Sequence, residues 1–246
     1  MSMTHTALAA ALLLAGGAAQ AQSEVTVYSY NNRPPFVIDQ AKQDGMEYRL
    51  IAWLNKASAP TYHFTLKVVA APEAKAMVEQ DHLDGVLFGV SPLWFSEPVR
   101  ARYLWTKPVL WDSNKVVSLE SRKLEYTGPA ALAGLRLAAV KGFNYPALTG
   151  AVAEGKLTRI DNGSEILALQ MVARREADVA IVSEWTLLYA QLRMELAGDF
   201  FQADKPFSEF QRCILVPAAM KPLAEHLDRL LTNVRDNKDW QTATSL

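Results

Sequence analysis

Gly85-Val86-Leu87-Phe88-Gly89-Val90 runs six residues without a polar side chain and without alternation. A strand with one face in water alternates between apolar and polar residues. A strand buried on both faces reads as a continuous apolar run, as in a parallel sheet covered by helices. The same texture returns at Leu135-Arg136-Leu137-Ala138-Ala139-Val140 and at Val179-Ala180-Ile181-Val182. Working outward towards the N-terminus, Val25-Thr26-Val27-Tyr28-Ser29-Tyr30 alternates β-branched and aromatic residues and reads as a strand. Arg33-Pro34-Pro35-Phe36 then interrupts regular structure, because proline fixes φ and lacks an N–H. Gly45 precedes Met46, Leu50, Ile51 and Leu54 on one helical face; residues 63–69 read as a strand and 71–79 as a short helix.

Towards the C-terminus the cycle repeats. Residues 115–119 and 157–160 are strand-like. Asp161-Asn162-Gly163-Ser164 offers capping side chains for a helix over 166–174. A helix through Leu188 follows the run at 179–182, residues 211–216 form a strand, and Leu223, Leu227, Leu230, Leu231 and Val234 mark one face of a final helix. Alternating strands and helices predict an α/β protein with largely parallel sheets. Sites in such sheets form outside the carboxyl ends of the strands, here the turns after Tyr30, Val90, Val140 and Val182.

The chain has 246 residues, half of them hydrophobic, enough for one large or two modest cores. Its 25 basic and 26 acidic residues leave a net charge of −1. They are interspersed, which argues against a nucleic-acid partner, since phosphate binding needs a clustered basic surface. Residues 1–23 carry no Lys, Arg, Asp or Glu. An Ala/Leu/Gly run there ends in Ala19-Gln20-Ala21, so residues 1–21 read as a secretory signal cut after Ala21 and the mature chain is expected in the periplasm. The run is shorter than the roughly 20 residues that span a bilayer. The one cysteine, Cys213, lies in an apolar stretch and reads as a buried thiol; it excludes a disulfide within the chain.

Catalytic signatures are missing. His63, His82 and His226 are far apart in sequence, with no HExxH or Cys/His cluster, so no metal or other cofactor is expected. Gly150 to Lys156 matches the phosphate-loop spacing, but Leu157 stands where a Ser or Thr must hold Mg²⁺, and the segment precedes a strand instead of following one. No nucleophile elbow and no dinucleotide fingerprint occur. The chain is expected not to be an enzyme.

In order along the chain, several segments resemble the family 3 extracellular solute-binding proteins, which serve polar amino-acid uptake through ABC transporters. They are Pro34-Pro35-Phe36 after the first strand, Gly45-Met46-Glu47 at a helix start, Asp84-Gly85-Val86-Leu87 with Ser91, and Arg102-Tyr103-Leu104-Trp105-Thr106-Lys107-Pro108. In the second half they are 134–142 and Ala177-Asp178-Val179-Ala180-Ile181-Val182. The resemblance implies a type II periplasmic binding-protein fold, each lobe a mostly parallel sheet flanked by helices. Lobe 1 would be 22–111 plus 205–246 and lobe 2 would be 112–204, with crossings near 111–114 and 203–209. It implies a monomer that closes on a small solute by a hinge motion and hands it to an inner-membrane ABC permease.

The ligand residues carry over in part. The family's carboxylate-binding Arg falls on Val99, with Arg100 adjacent; its second-lobe acidic position holds Ser183, followed by Glu184; Tyr30 stands at an often acidic position and Arg33 at an often aromatic one. Ser91 is retained. Tyr30, Phe36, Trp94, Phe143, Tyr145 and Trp185 gather at strand-end turns, where aromatics either stack on a flat or cationic ligand or pack between lobes, Phe36 reading as core. Asn144 either caps a helix or presents its amide to an anionic ligand. The expected site is therefore Tyr30, Arg33, Ser91, Trp94, Arg100, Phe143, Asn144, Tyr145, Ser183 and Glu184, for an amino acid or related small acid. Two other functions fit the scaffold: a dehydratase of the cyclohexadienyl type, with Glu184 as acid or base, and a periplasmic sensor domain.

Overall fold

The computed structural model describes residues 22–194 and 200–246; the expected signal at 1–21 lies outside them. In chain order the elements are β1 (Ser23–Ser29), α1 (Met46–Ser58), β2 (Tyr62–Val68), α2 (Ala71–Glu79), β3 (Val86–Val90), α3 (Glu97–Arg100), β4 (Tyr103–Trp105) and β5 (Leu110–Leu119). The second half carries β6 (Arg136–Val140), α4 (Thr149–Ala153), β7 (Thr158–Asn162), α5 (Glu165–Ala173), β8 (Val179–Ser183), α6 (Glu184–Arg193), β9 (Phe200–Gln202), β10 (Ser208–Pro217), α7 (Lys221–Leu231) and α8 (Lys238–Thr244).

The strands run in the order β2-β1-β3-β10-β5-β8-β6-β7. β1 pairs parallel with β2 and β3, and β6 pairs parallel with β7 and β8. Antiparallel β5 and β10 join the two halves. Leu110–Asn114 pairs with Ser208–Arg212. Beyond that ladder β10 continues against β3 and β4, and β5 continues against β8 and β9. This is an α/β molecule of two lobes, each built on a mostly parallel sheet flanked by helices.

The three continuous apolar runs are β3, β6 and β8, and all five residues of β3 and of β8 are buried. In lobe 1, Phe36, Leu50, Leu54, Phe64, Phe88, Leu110, Ile214 and Leu227 share one cluster. In lobe 2, Leu137, Leu148, Val179 and Ile181 pack on one side of the sheet, and Ala138, Leu169, Ala180 and Val182 on the other. α1 begins where the spacing places it. Gly45, at φ 137°, lies so close to the 36–38 turn that a Cβ would come within 2.4 Å of the Phe36 carbonyl.

Four elements differ from the sequence expectation. The strand expected at 115–119 begins five residues earlier, at Leu110, because Trp111–Asn114 is held in the β10 ladder. The final helix ends at Leu231; Asn233 takes a left-handed conformation, Val234 turns into the core, and α8 follows. β4 and β9, three residues each, carry too little periodicity to be read from sequence.

Candidate functional site

The carboxyl ends of β1, β3 and β8 meet the β5–β10 ladder, and a connected set of charged and polar side chains is buried there. Arg212, in the middle of β10, is 1% exposed. Its Nε and Nη2 donate to Asp112 Oδ2 at 2.9 and 2.7 Å, and its Nη1 donates to the Gly89 carbonyl at 2.9 Å. The Arg212 guanidinium lies 4.6 Å from the Phe36 ring centroid, 5.3 Å from Trp94 and 5.2 Å from Phe210. Asp112 also accepts from Ser183 Oγ at 2.9 Å. The ion pair is thus fully desolvated yet hydrogen-bonded on several sides, the condition under which a buried pair is tolerated.

Beside it lies a second pair that crosses the lobes. Arg33 Nε donates to Glu165 Oε2 at 3.1 Å, with the side chains 14% and 2% exposed. Glu165 opens α5, directly after Ser164, whose Oγ accepts from the Leu167 amide and caps the helix. Glu165 further accepts from Thr186 Oγ1 at 2.6 Å and from the Ser183 amide at 3.2 Å. The Arg33 guanidinium lies over two rings, 5.2 Å from the Phe36 centroid and 5.6 Å from Phe143. Thr186 also reaches the Pro34 carbonyl of the other lobe at 3.3 Å.

Glu47 completes the floor. It is fully buried, its Oε1 accepts from Asn31 Nδ2 at 2.8 Å, and its Oε2 has no hydrogen-bond partner among the described residues. Burial holds its carboxyl above the usual value, offset in part by hydrogen bonding and by the positive charge of Arg212. Tyr30 packs, partly buried, against the cluster that holds Tyr28, Leu87 and Val90, within reach of the charges of Arg212, Arg33 and Glu47. Burial pushes its hydroxyl up to about 12, against the pull of Arg212 and Arg33.

Of the residues expected from sequence, Arg33, Phe143, Trp94 and Ser183 contact this cluster, and Tyr30 adjoins it. Ser91 is buried, with its Oγ accepting from the Leu93 amide at 3.4 Å. Tyr145 is buried against Phe207, and burial together with the Glu165 charge holds its hydroxyl above the usual value. Asn144 is exposed and lines, with Leu148, Val152 and Arg159, a separate cavity of about 330 Å³. Arg100 pairs with Glu97 on its own short helix, and no hydrogen bond among the described residues joins it to the cluster. Glu184 accepts from Ser113 Oγ at 2.8 Å and faces Lys115 Nζ at 3.3 Å.

Asn31, Asp112, Glu165, Thr186 and Arg212 are not among the residues expected from sequence, nor is the floor role of Glu47. Two signals were present. Arg212 directly precedes the apolar run Cys213–Val216 in a strand, and a buried guanidinium demands a carboxylate partner. Glu165 follows a capping serine at a strand end.

No protein-family model matches the sequence, and no curated protein matches it. Solved structures do. The probable amino-acid ABC transporter extracellular-binding protein ytmK of Bacillus subtilis superposes at TM-score 0.70 and 17% identity, covering 91% of this chain and 96% of that one. An ancestral arginine-binding protein bound to arginine superposes at 0.68 and 13%, covering 91% and 97%. A histidine kinase sensor domain with similarity to periplasmic binding proteins does so at 0.68 and 16%, covering 91% and 95%. The chain therefore has the two-lobed fold of the periplasmic amino-acid binding proteins.

Proposed function

We propose that this chain is a periplasmic solute-binding protein that captures a small polar solute, an amino acid or related small acid, between its lobes. It would act as a monomer delivering that solute to an inner-membrane ABC permease. The hinge is assigned to the ladder of Leu110–Asn114 with Ser208–Arg212, dividing lobe 1 (22–111 and 205–246) from lobe 2 (112–204). The observation that carries the reading is the cation–carboxylate pair Arg33–Glu165, contributed by opposite lobes, walled by Phe36 and Phe143 and placed at strand carboxyl ends. A pair of opposite charges facing each other across a hinge matches the two charges of a zwitterion: Arg33 for a carboxylate, Glu165 for an ammonium. Similarity to proteins that bind arginine or serve amino-acid transport supports the same class. The dehydratase alternative rested on Glu184, and that carboxylate is engaged by Lys115 and Ser113.

A thermal-shift screen of amino acids, amines, small organic acids and aromatic metabolites tests this. A ligand that binds only the folded state at 100 times its Kd adds about 2.7 kcal/mol of stability. A charged solute is expected to raise Tm, and Arg33→Ala and Glu165→Gln are each expected to weaken it more than tenfold. Arg100→Ala is expected to leave the Kd unchanged. A well-folded protein that responds to no solute would favour the sensor role instead, in which the lobes signal to a membrane partner.

A further inference from the structure

The contacts of Arg33 are those of a bound ligand. A guanidinium is recognised by aromatic faces above and below it, by a carboxylate in its plane and by further oxygen acceptors. Arg33 has groups of each kind: the Phe36 and Phe143 rings, Glu165 Oε2 at 3.1 Å, and Asn31 Oδ1 at the long distance of 3.5 Å from Nη1. The groups come from both lobes, Asn31 and Phe36 from one, Phe143 and Glu165 from the other. The carboxylate is positioned in advance, since Thr186 Oγ1 and the Ser183 amide hold Glu165 from its own lobe. The neighbouring cation cannot substitute, because Arg212 is committed to Asp112 and the Gly89 carbonyl.

We propose that Asn31, Phe36, Phe143 and Glu165 form a guanidinium-binding site whose occupant is the chain's own Arg33, so that the lobes close on a tethered internal ligand with no solute present. A tethered group acts at a high effective concentration, so the closed form predominates, and a solute enters only by displacing the Arg33–Glu165 pair. Its apparent affinity is then lowered by the fraction of molecules that are open, and the loss expected for Arg33→Ala is the net of a missing solute contact and this released penalty. This goes beyond solute capture, and its test needs no knowledge of the solute.

Small-angle scattering of the solute-free protein reads the lobe separation directly. The wild type is expected to be compact, and Arg33→Ala to have a larger radius of gyration and a lower Tm. Guanidinium chloride, well below denaturing concentration, is expected to restore the compact radius and raise Tm in Arg33→Ala. It should do neither in the wild type nor in Arg33→Ala/Glu165→Gln, and sodium chloride at the same ionic strength should not substitute for it. A wild type as expanded as Arg33→Ala would overturn the proposal, as would a folded Arg33→Ala that guanidinium leaves unchanged. Should Arg33→Ala fail to fold, the near-isosteric Glu165→Gln decides: an enlarged radius supports the latch, and an unchanged one sinks it. A negative solute screen would leave these readings intact.

Discussion

Arg212 and Asp112 are 1% and 0% exposed at the side chain, so each is the other's principal compensation for lost water. Removing one partner of such a pair costs about 3–5 kcal/mol, because the survivor stays buried and charged. Arg212→Met is therefore expected to lower stability by about that much in urea unfolding, and Asp112→Leu on the same background to recover part of it. Glu47 acts in the opposite sense. Burial raises its folded-state pKa, so the native protein holds that proton more tightly than the unfolded chain. Its contribution is complete below the unfolded value near 4.5 and is lost as pH climbs through the folded value. Glu47→Gln keeps the acceptor for Asn31, and the difference in Tm from wild type should grow in its favour as pH rises from 4.5 to neutrality. A difference independent of pH would mean that burial does not raise the Glu47 carboxyl.

Among the elements, β3 shows how a local irregularity serves the site. Its pairing with β10 slips between Cys213 and Ile214, which face Val90 and Phe88 and leave Gly89 as a bulge at φ 70°. The freed carbonyl of Gly89 accepts from Arg212. A Cβ there would lie 2.9 Å from Asn31 Nδ2 and 3.1 Å from Glu47 Oε1. Gly89→Ala should cost at least about 1–2 kcal/mol from the left-handed backbone alone. It should also weaken solute binding, whereas a change confined to stability would separate the bulge from the site. The β5–β10 ladder is equally legible as a device. Both strands continue into a lobe at either end, so native-state hydrogen exchange should protect the amides of Leu110–Asn114 and Ser208–Arg212 as strongly as those of β3 and β8. Rapid exchange there would show a frayed connection and count against the hinge proposed for this ladder.

At the scale of the whole molecule, the sequence by itself determined the class of fold. The apolar runs that became β3, β6 and β8, the helical spacing of α1 and the capping Ser164 are local signals, each decided within a few residues by burial pattern or by backbone hydrogen bonding. It also pointed to the strand ends after Tyr30, Val90, Val140 and Val182, and the buried polar cluster lies at the ends of β1, β3 and β8. What it left undecided was which charges meet. Arg33 and Arg100 are equivalent guanidinium donors in one dimension. Only the fold shows that Arg100 turns back to Glu97 while Arg33 crosses to a carboxylate 132 residues away, and that Arg212 finds Asp112 at a separation of 100. Periodicity reports what each residue does relative to its own strand or helix. Partners on different elements are chosen by sheet order and by register, and tertiary structure decided those.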